Sequence, residues 1–302
     1  MHMNESRLIR STEPNVDGKD IALIGVGRIG TGIGINLIRH GARLHVMANK
    51  NRNGVDCLLK LGASECMSVA EMAKIGIVVL SLPSSTEVES ICQPPNGLFA
   101  YLLSGSVIID CSTSKPSSTH ALAKDAARSG IHFVDSPVTR SPEQALQGKL
   151  NALVGADLHI YPTVSGVVAS FCEGIIHAGG VGAGHKLKLI YNGMTMGIAA
   201  VVAETCQLAK KSDIDLRLLR DIVSQGSTNS GIFQKFVTFL LSEDRDVLSV
   251  SITNASKDIG YTLELAEQEE IVLPTLNMAS QKLQTAVSLG DGLLTLPHIA
   301  RS

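Results

Sequence analysis

The chain has 302 residues, 44% hydrophobic and 18% charged, the balance of a globular protein of about two domains. Lysine plus arginine (26) nearly match aspartate plus glutamate (28), so no global field favours nucleic acid or an acidic membrane. Six cysteines (Cys57, Cys66, Cys92, Cys111, Cys172 and Cys206) lie scattered without a CxxC pair, which reads as reduced core thiols and not a disulfide framework.

The opening residues 1–17, MHMNESRLIRSTEPNVD, lack the apolar core of a signal peptide and are expected to form a flexible extension. No uninterrupted apolar run reaches the ~20 residues needed to span a bilayer, so a soluble, cytoplasmic protein is expected. From there short β-branched runs alternate with longer helical patterns. Strands are predicted at 21–25, 43–47, 75–80, 106–110, 131–135, 151–155 and 174–178. Helices are predicted near 28–40, 53–61, 84–92, 117–129, 142–147 and 157–171. This alternation predicts an α/β fold, a Rossmann-type doubly wound sheet over residues 18–184.

The glycines of AGGVGAG (178–184) mark a boundary. Beyond it, segments 186–211, 215–224, 229–241, 251–269 and 275–289 carry helical periodicity, so an all-α domain is expected over 185–302. Between Leu189 and Ala203 there is no charged residue, the pattern of a helix buried nearly all round. Lys188 opens that stretch, and Lys188, Asn192 and Thr195 follow at spacings of four and three, which puts them on one face. Covering so apolar a helix predicts a homodimer or homotetramer built through the C-terminal domain.

The strand at 21–25 runs into IALIGVGRIGTG, in which Gly25, Gly27 and Gly30 form G-x-G-x-x-G at the opening of a helix. The first glycine permits a tight turn and the second lets backbone approach a pyrophosphate. The third permits close helix–strand packing, while Arg28 and Ile29 begin the helix whose N-terminus faces the anion. The motif alone is weak, but its strand–turn–helix context points to a dinucleotide. An NAD site usually places an acid about 20 residues on, to grip the ribose hydroxyls. Here Ala48 falls at that place, followed by Asn49, Lys50, Asn51 and Arg52. Two cations and two amides without a carboxylate suit a 2′-phosphate, so NADP is expected over NAD, with Asn49, Lys50 and Arg52 as its contacts. His177 and His185 sit in no ligand pattern and are expected to cap or pack, and no metal spacing is present.

With these residues in hand, the chain resembles the β-hydroxyacid dehydrogenase family over about residues 20–290. The glycine loop, IIDCSTSKP (108–116), VDSPVTRSPEQALQGKL (134–150), GAGHKLKLIYNG (182–193) and SKDIGYTLELA (256–266) carry the resemblance in the family's order. The resemblance implies that Lys188 is the catalytic lysine and Asn192 the residue that orients substrate. It implies that Leu82, Pro83 and Thr113 contact the nicotinamide ribose and that Lys257 closes over the cofactor. Ser136, Thr139, Arg140, Ser141 and Thr195 fall where the family binds a small anionic 3-hydroxy acid or its semialdehyde. Chemistry agrees: reducing an aldehyde needs a proton on the developing alkoxide, and a cation at hydrogen-bond distance stabilises that charge and supplies the proton. Partial desolvation at the edge of an apolar helix is expected to lower the lysine's pKa.

The sequence departs from the family where Thr139-Arg140-Ser141 stands for Ser-Gly-Gly. An arginine there occurs in the branch resembling 3-sulfolactaldehyde reductase, so Arg140 is expected to grip the substrate's acid group, unless it pairs with Glu143 or faces solvent. Tyr191 replaces the first of two usual asparagines, and the tail LGDGLLTLPHIA lacks the family's second aspartate. Two other readings remain: an imine reductase on the same fold, which typically has Asp or Tyr at the place of Lys188, and a non-catalytic NADP-binding sensor or scaffold.

Overall fold

The computed structural model describes residues 8–9 (backbone path only), 12–48, 52–93, 95–242 and 248–301. The chain divides into two compact units, Met1–Lys188 and Leu189–Ser302.

In the first unit, β1 (Leu8–Ile9) and β2 (Asp20–Ile24) are followed by α1 (Arg28–Arg39), β3 (Arg43–Met47), α2 (Asn53–Lys60) and β4 (Ser64–Glu65). A 3-10 turn at Val69–Met72 leads to β5 (Ile77–Leu80), α3 (Ser85–Cys92), α4 (Leu98–Tyr101), β6 (Val107–Asp110) and α5 (Pro116–Arg128). Then come β7 (His132–Asp135), β8 (Val138–Thr139), α6 (Pro142–Leu146), β9 (Leu150–Gly155), α7 (Tyr161–Val168) and β10 (Cys172–Gly179). The strands form one sheet in the order β1-β10-β9-β7-β6-β5-β2-β3-β4, with β8 paired to β9.

From β4 to β7 every pairing is parallel. The winding reverses between β2 and β5, because the chain leaves β2 for β3 on one side and returns to β5 on the other. The crevice at such a reversal, beyond the carboxyl ends of the strands, is where open α/β sheets bind ligands. The expected doubly wound sheet is therefore present, and it is mixed: β9 meets β7 and β8 antiparallel, and β10 runs parallel to β9. Alternation along the strands explains why both faces are covered. Ile21, Leu23, Ile77 and Val79 enter one core with Ile33, Leu37 and Leu58, and Ala22, Ile24, Val78 and Leu80 enter the other with Val88 and Leu122. Successive strand side chains point to opposite faces, so a continuous apolar run feeds two helical layers.

The N-terminal segment corrects one expectation. Leu8–Ile9 pairs antiparallel with Ile175 and Ile176 of β10, and Val16 is fully buried, so part of residues 1–17 belongs to the fold. Unpaired backbone groups on the outer edge of β10 are what this short strand satisfies.

The second unit is built from α8 (Ala183–Lys211), which begins in the first, α9 (Leu216–Ser224), α10 (Gly231–Ser242), α11 (Ile252–Gln268) and α12 (Pro274–Ser288). Ala199, Ala203 and Cys206 of α8 pack with Phe233, Phe236, Ile259 and Leu283. Two 3-10 turns, Asp291–Leu293 and Leu296–Ala300, complete the chain, and Leu296 and Ile299 seal that core.

By length and composition α8 is apolar enough to cross a bilayer, and 44% of its most apolar window is buried inside the protein. The helix is not buried all round, as its sequence suggests. Ile190, Tyr191, Met194, Val201 and Leu208 form an apolar stripe, each between 51% and 68% exposed. Periodicity reveals that a face is apolar but not whether its own chain covers it.

Candidate active site

The glycine loop separates what the protein needs from what a ligand needs. Gly25 lies at φ +95°, and a Cβ there would overlap Ser81 O; a Cβ on Gly30 would overlap Gly25 O. Both glycines are therefore required by packing. Gly27 is different: its φ of −81° suits any residue, and a Cβ there would meet nothing within 4 Å. It caps α1 without a side-chain hydrogen bond, and the first turn holds no acidic residue. By helix geometry the amides of Arg28, Ile29 and Gly30 have no partner within α1, and the dipole adds positive potential at the same point. An open cradle over a bare helix N-terminus fits a pyrophosphate.

At the end of β3, Ala48 packs against the core. Asn49, Lys50 and Asn51 lie outside the described residues. Arg52 donates to both carboxylate oxygens of Glu65, at 2.8 and 3.0 Å, and to Asp56 at 3.3 Å. That pairing holds the Glu65 carboxyl below its usual pKa range. The expected absence of carboxylates at this corner is corrected: β4 lies beside β3, with Val46 opposite Glu65, and so delivers an acid from 13 residues away.

The loops after β5 and β6 are tied together. Leu82 N donates to Ser112 Oγ at 2.9 Å, while Ser112 N and Ser114 Oγ donate to the two oxygens of Asp110, each at 2.9 Å. This network positions the segments carrying Leu82, Pro83 and Thr113. Below it, Asp135 at the end of β7 accepts from Gly182 N at 2.6 Å and His185 N at 2.7 Å. Burial pushes the Asp135 carboxyl up, opposed by His185 and by these amides. His185 is fully buried, with Nδ1 2.7 Å from Thr119 Oγ1 and Nε2 3.1 Å from Ser112 O. A carbonyl only accepts, so Nε2 carries a proton. His177 packs against Tyr161 with ring centroids 4.4 Å apart and bonds Ala156 O. Both histidines cap and pack, as their sequence context suggests.

Lys188 follows His185 by three residues, and its Nζ donates to Val138 O at 2.8 Å. An ammonium is thereby placed against the loop of residues 136–141, 50 positions away in sequence. Fastening the first turn of α8 to Asp135, on the strand that feeds this loop, fixes where the ammonium arrives. One turn later Asn192, buried, donates from Nδ2 to Asp258 Oδ2 at 2.8 Å. Lys257 Nζ lies 3.0 Å from Asp258 Oδ1 and 5.2 Å from the Tyr261 ring centroid. Thr195 bonds Tyr191 O within its own helix at 2.9 Å. Among the described residues no three His, Cys, Asp or Glu side chains gather as a metal site.

A family model described as the NAD binding domain of 6-phosphogluconate dehydrogenase matches residues 20–180. A second, described as the NAD-binding domain of NADP-dependent 3-hydroxyisobutyrate dehydrogenase, matches residues 182–296. 2-(Hydroxymethyl)glutarate dehydrogenase of Eubacterium barkeri is 30% identical over 274 residues, covering 90% of each chain. The chain belongs to the β-hydroxyacid dehydrogenase family. The 3-sulfolactaldehyde reductase of Escherichia coli K12 is 29% identical over 265 residues, 87% of this dehydrogenase and 88% of the relative. The crystal structure of 3-hydroxyisobutyrate dehydrogenase from Salmonella typhimurium shares the fold with a TM-score of 0.84 at 20% identity, covering 94% and 99% of the two chains. The family is one of hydride-transfer oxidoreductases using a nicotinamide cofactor, and the open cradle at Gly27 fits that group.

Two substrate-loop residues of the dehydrogenase stand differently from expectation. Ser136 is fully buried and its Oγ has no hydrogen-bond partner in the protein, so it presents no surface to a substrate. Arg140 donates to Lys149 O at 2.7 Å and to the Glu173 carboxylate, while Glu143 pairs with Arg28. Its backbone, at φ +85°, keeps the left-handed conformation that glycine adopts at no cost. Thr139 pairs in register with Asn151, and Ser141 caps α6 in a capping box with Gln144. The guanidinium thus braces a loop whose backbone is strained for a residue with a side chain.

That placement sets an expected result. Arg140→Ala should lower kcat/KM for an anionic aldehyde and for a neutral one of similar size by the same factor, because the loop loses its brace. A loss confined to the anionic substrate, roughly ten- to a hundredfold as for a broken charged hydrogen bond, would place the guanidinium on substrate.

The sequence pointed to neither Glu65, Glu173 nor Asp258. Each lies on a different element from its partner, and no local spacing links them. Only for Asp258 was there a signal, its place beside Lys257 in the fifth family segment.

Proposed function

We propose that this dehydrogenase moves a hydride between NADP(H) and a small anionic 3-hydroxy acid or its semialdehyde, with Lys188 as general acid and base. The observation that carries the proposal is the Lys188 ammonium held 2.8 Å from Val138 O, at the loop expected to bind substrate. Bound NADPH supplies the hydride that reduces the aldehyde carbon. Lys188 Nζ donates the proton that the carbonyl oxygen needs as it becomes an alkoxide; in the oxidation direction the neutral amine takes the hydroxyl proton. Asn192 orients the substrate oxygen. Lys257, carried by the second unit, is retained as a cofactor contact on the family resemblance alone.

The names of relatives support a small anionic substrate, since they include an L-threonate dehydrogenase and an L-serine dehydrogenase besides the two above. NADP(H) is supported by Ala48 at the end of β3 and by the cations that follow. Glu65 and Asp56 occupy much of Arg52, so the 2′-phosphate reading leans on Lys50 and Asn49. Six thiols without a disulfide suit the cytoplasm. An imine reductase from Myxococcus stipitatus shares the fold at a TM-score of 0.62 and 17% identity. No specific side chain here favours that reading or a scaffold, and Lys188 favours carbonyl chemistry.

Assaying small semialdehydes and 3-hydroxy acids with NADPH and NADH tests the proposal. Turnover of an anionic member, with higher kcat/KM for NADPH, is expected. No turnover across the panel would overturn the substrate class, and equal kcat/KM for both cofactors would overturn the phosphate preference.

The stripe Ile190, Tyr191, Met194, Val201 and Leu208 supports a homodimer or homotetramer through the second unit. Light scattering at micromolar concentration should give a multiple of 31.9 kDa, and a monomer would reject the assembly.

A further inference from the structure

We propose that Asp258 is a positioning residue for the reaction, acting through Asn192. The inference rests on the proposed role of Asn192 in orienting substrate. Asn192 is a primary amide with one accepting and one donating end, and its usefulness depends on which end faces the substrate. Nothing on its own helix decides this. Asp258, buried on α11, does so because a carboxylate only accepts: its Oδ2 takes the Nδ2 hydrogen at 2.8 Å. The accepting Oδ1 end of the Asn192 amide is left for a donor, such as a substrate hydroxyl.

The rest of the contact holds this carboxylate in place. Lys257 Nζ lies 3.0 Å from Asp258 Oδ1, so the carboxylate's second oxygen has a counter-charge beside it. One turn along α11, Thr262 Oγ1 lies 2.9 Å from Leu189 O and 3.0 Å from Asp258 O, joining the backbones of α8 and α11 at the level of Asn192. At Gly193 the helices approach so closely that a Cβ would come within 2.8 Å of Thr262 Cγ2. The turn carrying Asn192 is thus clamped, and its amide is set by a charge from the neighbouring helix. A purely structural ion pair would need only Lys257; the shorter bond goes to Asn192.

The test uses the full-length enzyme with a substrate found in the panel above, and measures kcat, KM and melting temperature. Asp258→Asn keeps the shape but can present a donor to Asn192, letting that amide turn over. It is expected to lower kcat roughly ten- to a hundredfold, the range that misplacement of a reacting group produces, with KM changed less. The reversed pair, Asn192→Asp with Asp258→Asn, restores a hydrogen bond between the two positions with donor and acceptor exchanged. It should recover the melting temperature but not kcat, because a carboxylate now faces an anionic substrate. Wild-type kcat in Asp258→Asn would overturn the proposal, as would recovery of both kcat and melting temperature in the reversed pair. Full activity in Lys188→Ala or Asn192→Ala would instead sink the catalytic reading itself, whatever Asp258 does.

Discussion

Lys188→Ala is expected to abolish turnover while leaving NADPH affinity within a few-fold of wild type. General acid–base terms of this kind contribute roughly 10²–10⁴ in rate. The variant should fold, because the first turn of α8 is fastened by Asp135 to Gly182 N and His185 N, not by the lysine. Lys188 contributes one hydrogen bond to Val138 O, and a lost hydrogen bond costs about 1 kcal/mol. Lys188→Arg should be nearly as inactive, since a guanidinium keeps the charge but gives up no proton near neutral pH. Stopped assays of kcat, with calorimetric titration of NADPH, separate the two effects. A variant keeping a third of wild-type kcat would remove Lys188 from the mechanism.

Gly27→Val and Gly30→Ala should fail in opposite ways. A side chain at Gly27 meets no protein atom within 4 Å, so its melting temperature should stay near wild type, less about 1 kcal/mol for a poorer helix cap. Its branched side chain would stand in the open cradle above α1, and nucleotide affinity should fall at least about tenfold, since the second glycine is the one that admits the pyrophosphate. At Gly30 the added Cβ would overlap Gly25 O, so Gly30→Ala should lower stability before any ligand is added. Overpacking of this kind costs about 1–3 kcal/mol. Thermal melts without ligand and calorimetry with NADPH give the comparison. If Gly27→Val binds NADPH normally, the cradle is not the pyrophosphate site.

Much of this protein was legible in its sequence because the relevant physics is local. Runs such as Ile77–Leu80 are apolar at every position because both sheet faces are covered, and their β-branched residues suit the strand. The glycine loop could be read residue by residue, since a left-handed turn and a close approach each demand a missing side chain. The chemistry of Lys188 followed from a charge opening an apolar helix.

Partners of polar side chains were another matter. Arg140 meets Glu173, Arg52 meets Glu65 and Asn192 meets Asp258, at separations of 33, 13 and 66 residues. Each meeting depends on strand order or helix packing, which bring together residues that no periodicity relates. The outer face of α8 is the same case in apolar form: sequence says that Ile190, Met194, Val201 and Leu208 are greasy, and only the packed fold leaves them outside. Periodicity records the local geometry of one element, whereas the partner across a gap is chosen by the packing of all of them. The sequence therefore determined the sheet, its glycine loop and the lysine, and the tertiary structure decided which charges hold that lysine's neighbours in place.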